Sequence, residues 1–140
     1  MPDPEKVVEV VSEWVAKADN DLQAARLSLR AGKECPTDTV CFHAQQVIEK
    51  YIKALLTARN IPFPKTHSIR KLMQLLPAAD RFTFSEDEQD RLTEYATTAR
   101  YPGWGEISMR ECRHAVAIAS RVRSQIRKLL PRPALRRRTH

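Results

Sequence analysis

The sequence predicts an all-α protein, an antiparallel up-and-down bundle of four longer helices plus one short helix. Three observations carry that prediction. Apolar residues recur by threes and fours along four separate segments, the spacing that lines one face of a helix. The chain holds only 3 glycines in 140 residues and no run that alternates apolar and polar residues, which argues against a turn-rich β fold. Prolines and Ser-x-x-Glu patterns fall between the periodic segments and mark where each helix should stop and start.

The first helix opens at Asp3-Pro4, with Asp placed to cap and Pro at the first helical position. Its apolar row is Val8, Val11, Val15, Ala18, Leu22, Ala25 and Leu29, ending near Gly32. Trp14 lies beside that row and is open to reading as core or as an exposed contact. The short connection from Lys33 to Asp38 makes the next helix an antiparallel neighbour. Ile61-Pro62-Phe63-Pro64 then bars continuation. A short helix follows from Ser68, with Ile69, Leu72, Met73 and Leu76 facing inward, and Pro77 closes it. Ser85 with Glu88 opens a fourth helix through Leu92, Tyr95, Ala96 and Ala99. Ser108 with Glu111 repeats the pattern and opens the last, whose row is Cys112, Ala115, Ala119, Val122, Ile126 and Leu129.

The second helix, read from Thr39 to Ala58, organises the rest. Val40, Ala44, Val47, Tyr51, Ala54 and Ala58 form one apolar row, and Cys41, Ile48, Ile52, Leu55 and Leu56 widen it. So broad an apolar arc belongs to a central helix. His43, Gln46, Lys50, Lys53 and Thr57 share the remaining face. That stripe reads either as a solvated face or as a binding stripe.

The formal net charge is +7, and four of the arginines, Arg132, Arg136, Arg137 and Arg138, lie in the last ten residues, which hold no acid. Residues 1–130 are expected to form the single domain, and 131–140 a disordered basic tail. The body is therefore only mildly basic, which permits an anionic partner without indicating one. Cys35, Cys41 and Cys112 are an odd number without close pairing. With neither a signal-peptide pattern nor a transmembrane-length apolar stretch, this predicts a cytoplasmic protein with reduced thiols. No zinc-site spacing, phosphate loop or serine triad is present, so no metal and no cofactor is expected.

Trp14 and Lys17-Ala18-Asp19 with Asp21-Leu22, then FHAQQVIEKYIKALL, PKTHSIRKL and ARYP, together resemble the HEPN domain family. The resemblance spans roughly residues 10–130. It implies a helical bundle, usually a homodimer, often encoded beside a minimal nucleotidyltransferase. Many members are metal-independent ribonucleases, often toxins, with an Arg and a His separated by four to six residues near the last long helix. Here Arg110 and His114 have three residues between them, Arg59 and His67 have seven, and Arg136 and His140 sit in the tail.

The resemblance implies a HEPN binding or partner protein, acting with a nucleotidyltransferase in a toxin–antitoxin-like pair and binding a nucleotide or other phosphate ligand. Within it, His43, Lys53, His67 and Arg100 match the non-nuclease subgroup. The alternative is a ribonuclease using Arg110 and His114 across a dimer, with RNA as partner. The expected ligand site joins the stripe residues His43, Gln46, Lys50 and Lys53 to Lys65 and His67 from one proline-flanked loop. Arg100, Tyr101 and Trp104 join it from another.

Overall fold

The computed structural model describes residues 3–136. Its described residues are all-helical: α1 (Pro4–Leu29), α2 (Thr37–Ala58), α3 (Ile69–Leu75), α4 (Glu86–Ala96) and α5 (Met109–Arg127), with single 3-10 turns in every connection but that from α2 to α3, and one after α5. This is the predicted bundle of four longer helices and one short one.

α2 packs against all four other helices. Of its 22 residues, 14 are buried, including Ile48, Tyr51, Ile52, Leu55 and Leu56, so its burial dominates the core. Each such aliphatic side chain withdrawn from water contributes about 1.5–3 kcal/mol. α1 covers one flank with Val11, Val15, Ala18, Leu22 and Ala25. α5 covers the other with Cys112, Ala115, Val116, Ile118, Ala119, Val122 and Ile126. The predicted apolar rows are these buried faces.

The caps follow from the same local signals. The Asp3 carboxylate accepts from the Glu5 amide at 3.0 Å, and Ser68 caps α3 by accepting from the Lys71 amide at 3.3 Å. Ser85 and Glu88 complete a reciprocal capping box on α4. At α5 only half of the expected box forms. Ser108 Oγ accepts from the Glu111 amide at 3.1 Å, but the Glu111 carboxylate pairs with Arg91 of α4 instead. α2 ends with Asn60 at φ 58° and the Ile61 amide bonded to the Leu56 carbonyl at 2.9 Å. That is the left-handed stop that Asn tolerates better than most residues. Beyond it, Arg59 donates two hydrogen bonds to Asp80, at 2.9 and 3.0 Å, and a third to the Leu129 carbonyl at 2.9 Å. These fasten the C-terminal ends of α2 and α5 to the turn after α3.

The structure moves one predicted boundary. Arg132–Leu135 form a 3-10 turn rather than the start of a disordered tail. Ala134 is buried, and the turn packs against α1. Two prolines and four arginines obscure, in the sequence, a small apolar plug formed by Leu130, Ala134 and Leu135. Residues 137–140, the rest of the predicted tail, lie outside the described residues. Truncation after Leu130 should therefore lower stability by about 1–3 kcal/mol, the scale of a lost buried apolar side chain. Urea unfolding checks this, and an unchanged midpoint would show that the plug does not contribute.

Candidate functional site

Much of the polar stripe of α2 is paired within the protein. Its basic side chains meet two carboxylates. Asp21 of α1 takes two of them: His43 Nδ1 lies 2.8 Å from Asp21 Oδ1, and the Lys50 ammonium donates to Asp21 Oδ2 at 2.5 Å. Glu49, one turn before Lys53 on α2, takes the others. Lys53 Nζ donates to Glu49 Oε2 at 3.1 Å, and His67 Nδ1 lies 2.8 Å from Glu49 Oε1. Gln45 donates to the same Oε1 at 3.1 Å and accepts from Gln46 at 2.7 Å. The Lys53 ammonium also sits 5.7 Å from the ring centroids of both Trp14 and Phe63, which meet edge to face. Glu49 and Lys53 are buried. A buried charge needs a partner, and removing either one would strand the other.

A third carboxylate, Asp19, ties α1 to α5. The fully buried Tyr51 donates its phenol proton to Asp19 Oδ1 at 2.5 Å. Arg123 Nε donates to the same oxygen at 2.8 Å, and Arg127 lies 3.8 Å from Asp19 Oδ2. Burial and the Asp19 hydrogen bond push the Tyr51 phenol up to about 12.

The remaining predicted site residues gather at the other end of α2. Arg100 lies over the Phe42 ring at 4.2 Å and, alone among the predicted cations apart from Lys65, has no carboxylate partner among the described residues. It lines an open groove of about 800 Å³ with Lys33, Asp38, Tyr101, Trp104 and Glu106. A smaller cleft of about 370 Å³, lined by Asp38, Phe42, His43 and Tyr95, also has Arg100 in its wall. The first turns of α2 (Thr37, Asp38) and α5 (Met109) open onto the larger groove. Tyr101 is 72% exposed, whereas Trp104 is half-buried with the Arg91 guanidinium over its ring at 5.3 Å.

The nine predicted residues thus divide. Arg100, Tyr101 and Trp104 line the larger groove, and His43 shares the adjoining cleft with Arg100. Gln46, Lys53 and His67 belong to the Glu49 cluster, and Lys50 to Asp21. Lys65 is exposed and joins neither. Sequence reasoning missed Phe42, the platform under Arg100, and the pairing roles of Asp21 and Glu49. The four-residue spacing of Glu49 and Lys53 was the available signal for the second of these.

Arg110 and His114 are both exposed on α5, one turn apart. His114 borders a small cleft against Leu92 and Tyr95 of α4. Cys41 and Cys112 are buried, and burial pushes both thiols up, Cys112 to about 11. Among the described residues no group of three His, Cys, Asp or Glu side chains is placed to hold a metal, and no helix is long and apolar enough to cross a membrane.

Residues 11–129 match the model of the HEPN domain. The chain belongs to the HEPN domain family. Among solved structures, this HEPN protein is similar to TT1696 from Thermus thermophilus, at 26% identity and a TM-score of 0.71 over 86% of this chain and 98% of that one. It is also similar to ST0689, an archaeal HEPN homologue, at 26% identity and a TM-score of 0.63 over the same shares. None of the curated proteins matches the chain.

The Asp19 knot generates a pH prediction. The folded state keeps the Tyr51 phenol neutral up to about 12, while the unfolded chain releases that proton near the ordinary tyrosine value of 10.0. The contribution of Tyr51 is therefore fully present below about pH 10 and lost as pH rises through about 12. Tyr51→Phe should cost about 1 kcal/mol at neutral pH and flatten the alkaline fall in stability. Urea melts of both proteins from about pH 8 to about pH 11.5, which cover the onset and most of this loss, check it. Parallel curves would count against it.

Proposed function

We infer that this HEPN protein is a binding domain rather than an enzyme, and that the Arg100 groove receives a nucleotide, free or carried by a minimal nucleotidyltransferase partner. The observation that carries this reading is the contrast between Arg100 and the stripe. His43, Lys50, Lys53 and His67 are held by Asp21 and Glu49. Arg100 stands in an open groove with its guanidinium on Phe42 and forms no ion pair among the described residues, with Asp38 and Glu106 elsewhere in the same lining. The guanidinium N–H fork matches phosphate oxygens, and the helix ends of α2 and α5 add a favourable dipole for an anion. The exposed Tyr101 ring offers a face to a base, a contact of about 1–3 kcal/mol in single-stranded nucleic-acid sites. Asp38 and Glu106 supply acceptors for sugar hydroxyl or base amino groups, which favours a nucleotide over a bare phosphate. Family membership supports a homodimer as the working assembly.

Calorimetry with AMP and ATP tests the reading. Wild type should bind with a dissociation constant below a millimolar, and Arg100→Ala should weaken binding about tenfold or more, the effect of about 1.4 kcal/mol. Absence of binding, or binding indifferent to Arg100→Ala, would overturn it. The ribonuclease reading has its own observation, the exposed and unpaired Arg110 and His114 one turn apart. Metal-independent RNA cleavage abolished by both Arg110→Ala and His114→Ala would replace the binding reading with that one.

A further inference from the structure

We propose a second anion site, distinct from the Arg100 groove, where the C-terminal half of α1 meets α5, and that it takes a compact polyphosphate. A groove of about 440 Å³ opens there, with Arg26, Arg30 and Arg123 in its walls and Leu22 and Leu27 beside them. Its single carboxylate is Asp19. That carboxylate is already engaged by the Tyr51 phenol, by Arg123 and, at longer range, by Arg127. It therefore neutralises Arg123 and leaves the other two guanidinium groups without compensation. Arg26 donates only to the neutral Ser120 hydroxyl, at 3.1 Å. Arg30 has no partner among the described residues. Two exposed cations one helical turn apart repel each other, and a dianion seated between them would remove that repulsion while accepting several of their N–H groups.

The arrangement also selects the class of anion. Arg26 and Arg30 reach the groove from α1 and Arg123 from α5, so donors surround the space from two walls. A tetrahedral phosphate has oxygens on every side to meet them, whereas a planar carboxylate presents one edge. Arg123 is fixed in place by Asp19 before any ligand arrives, so one wall of the site needs little ordering. Leu27, 53% exposed at the rim, adds apolar surface beside the arginines.

Calorimetry with tripolyphosphate, which has no base to stack in the Arg100 groove, tests the site. Citrate at matched ionic strength serves as the carboxylate control. Four proteins suffice: wild type, the Arg26→Ala/Arg30→Ala double variant, Arg30→Gln, and Arg100→Ala. Arg26 and Arg30 are exposed, so the double variant should keep its fold, which its circular dichroism and melting curve verify. Wild type should bind tripolyphosphate with a dissociation constant below a millimolar. The double variant should lose about tenfold or more, and Arg30→Gln a smaller factor. Arg100→Ala should leave in place the tripolyphosphate binding that the double variant removes, whatever it does to the first groove. The proposal is overturned if wild type does not bind tripolyphosphate, if citrate binds equally well, or if Arg100→Ala weakens binding and the double variant does not.

Discussion

Helix α2 is covered by all four other helices, and the polar side chains it carries into that interior must find partners inside the protein. Burying an unpaired ammonium or carboxylate costs several kcal/mol, more than any one apolar contact around it returns. Asp21 and Glu49 meet this demand, one from the neighbouring helix and one from α2 itself. Asp21 joins His43 to Lys50, and Glu49 joins Lys53 to His67 and Gln45. Asp19 does the same for Tyr51 and α5 through Arg123. Asp19 and Asp21 fix how α1 sits against α5 and α2, and Glu49 ties α2 to the segment that carries His67.

That constraint decides where function can lie. Lys53, bonded to the buried Glu49, is a poor ligand for an external anion, since binding would have to break that pair. Cations beyond the reach of those acids remain available. Two groups of them line grooves: Arg100 over Phe42 at the start of α2, and Arg26 with Arg30 at the C-terminal end of α1. In both, the helical core supplies a rigid wall and a neighbouring loop or helix supplies the opening.

Much of the fold was legible in the sequence because a buried face is a local, repeating pattern. The rows from Val11 to Ala25 and from Cys112 to Ile126 emerge from spacing alone, and Ser85 with Glu88 announces its own helix. The site was less legible because its chemistry depends on pairs far apart in the chain. Nothing near Lys50 indicates that Asp21 will face it, and the stripe looks alike whether solvent, ligand or a buried acid lies opposite. Glu111 fits a capping box by spacing, yet Arg91 from another helix draws its carboxylate away. Ala134 is a single small residue among prolines and arginines, and only the shape of the neighbouring α1 surface shows that it plugs a gap. Tyr101 and Arg100 stand out as candidates in the sequence because a proline-flanked loop with aromatic and basic residues is unusual in so helical a chain.

The central claim is that the α2 stripe is an internal electrostatic frame and not a ligand seat. A double-mutant cycle on Glu49 and Lys53, followed by urea unfolding, tests it most directly. Glu49→Ala should destabilise the protein by about 3 kcal/mol, because Lys53 is left buried without its partner. The double variant Glu49→Ala/Lys53→Ala should lose less than the sum of the two single changes, with a coupling energy of about 1 kcal/mol or more. A stripe kept for a ligand would behave differently, since residues held for binding are often a strain on the fold. A coupling energy near zero, together with a Glu49→Ala protein as stable as wild type or more so, would contradict the account.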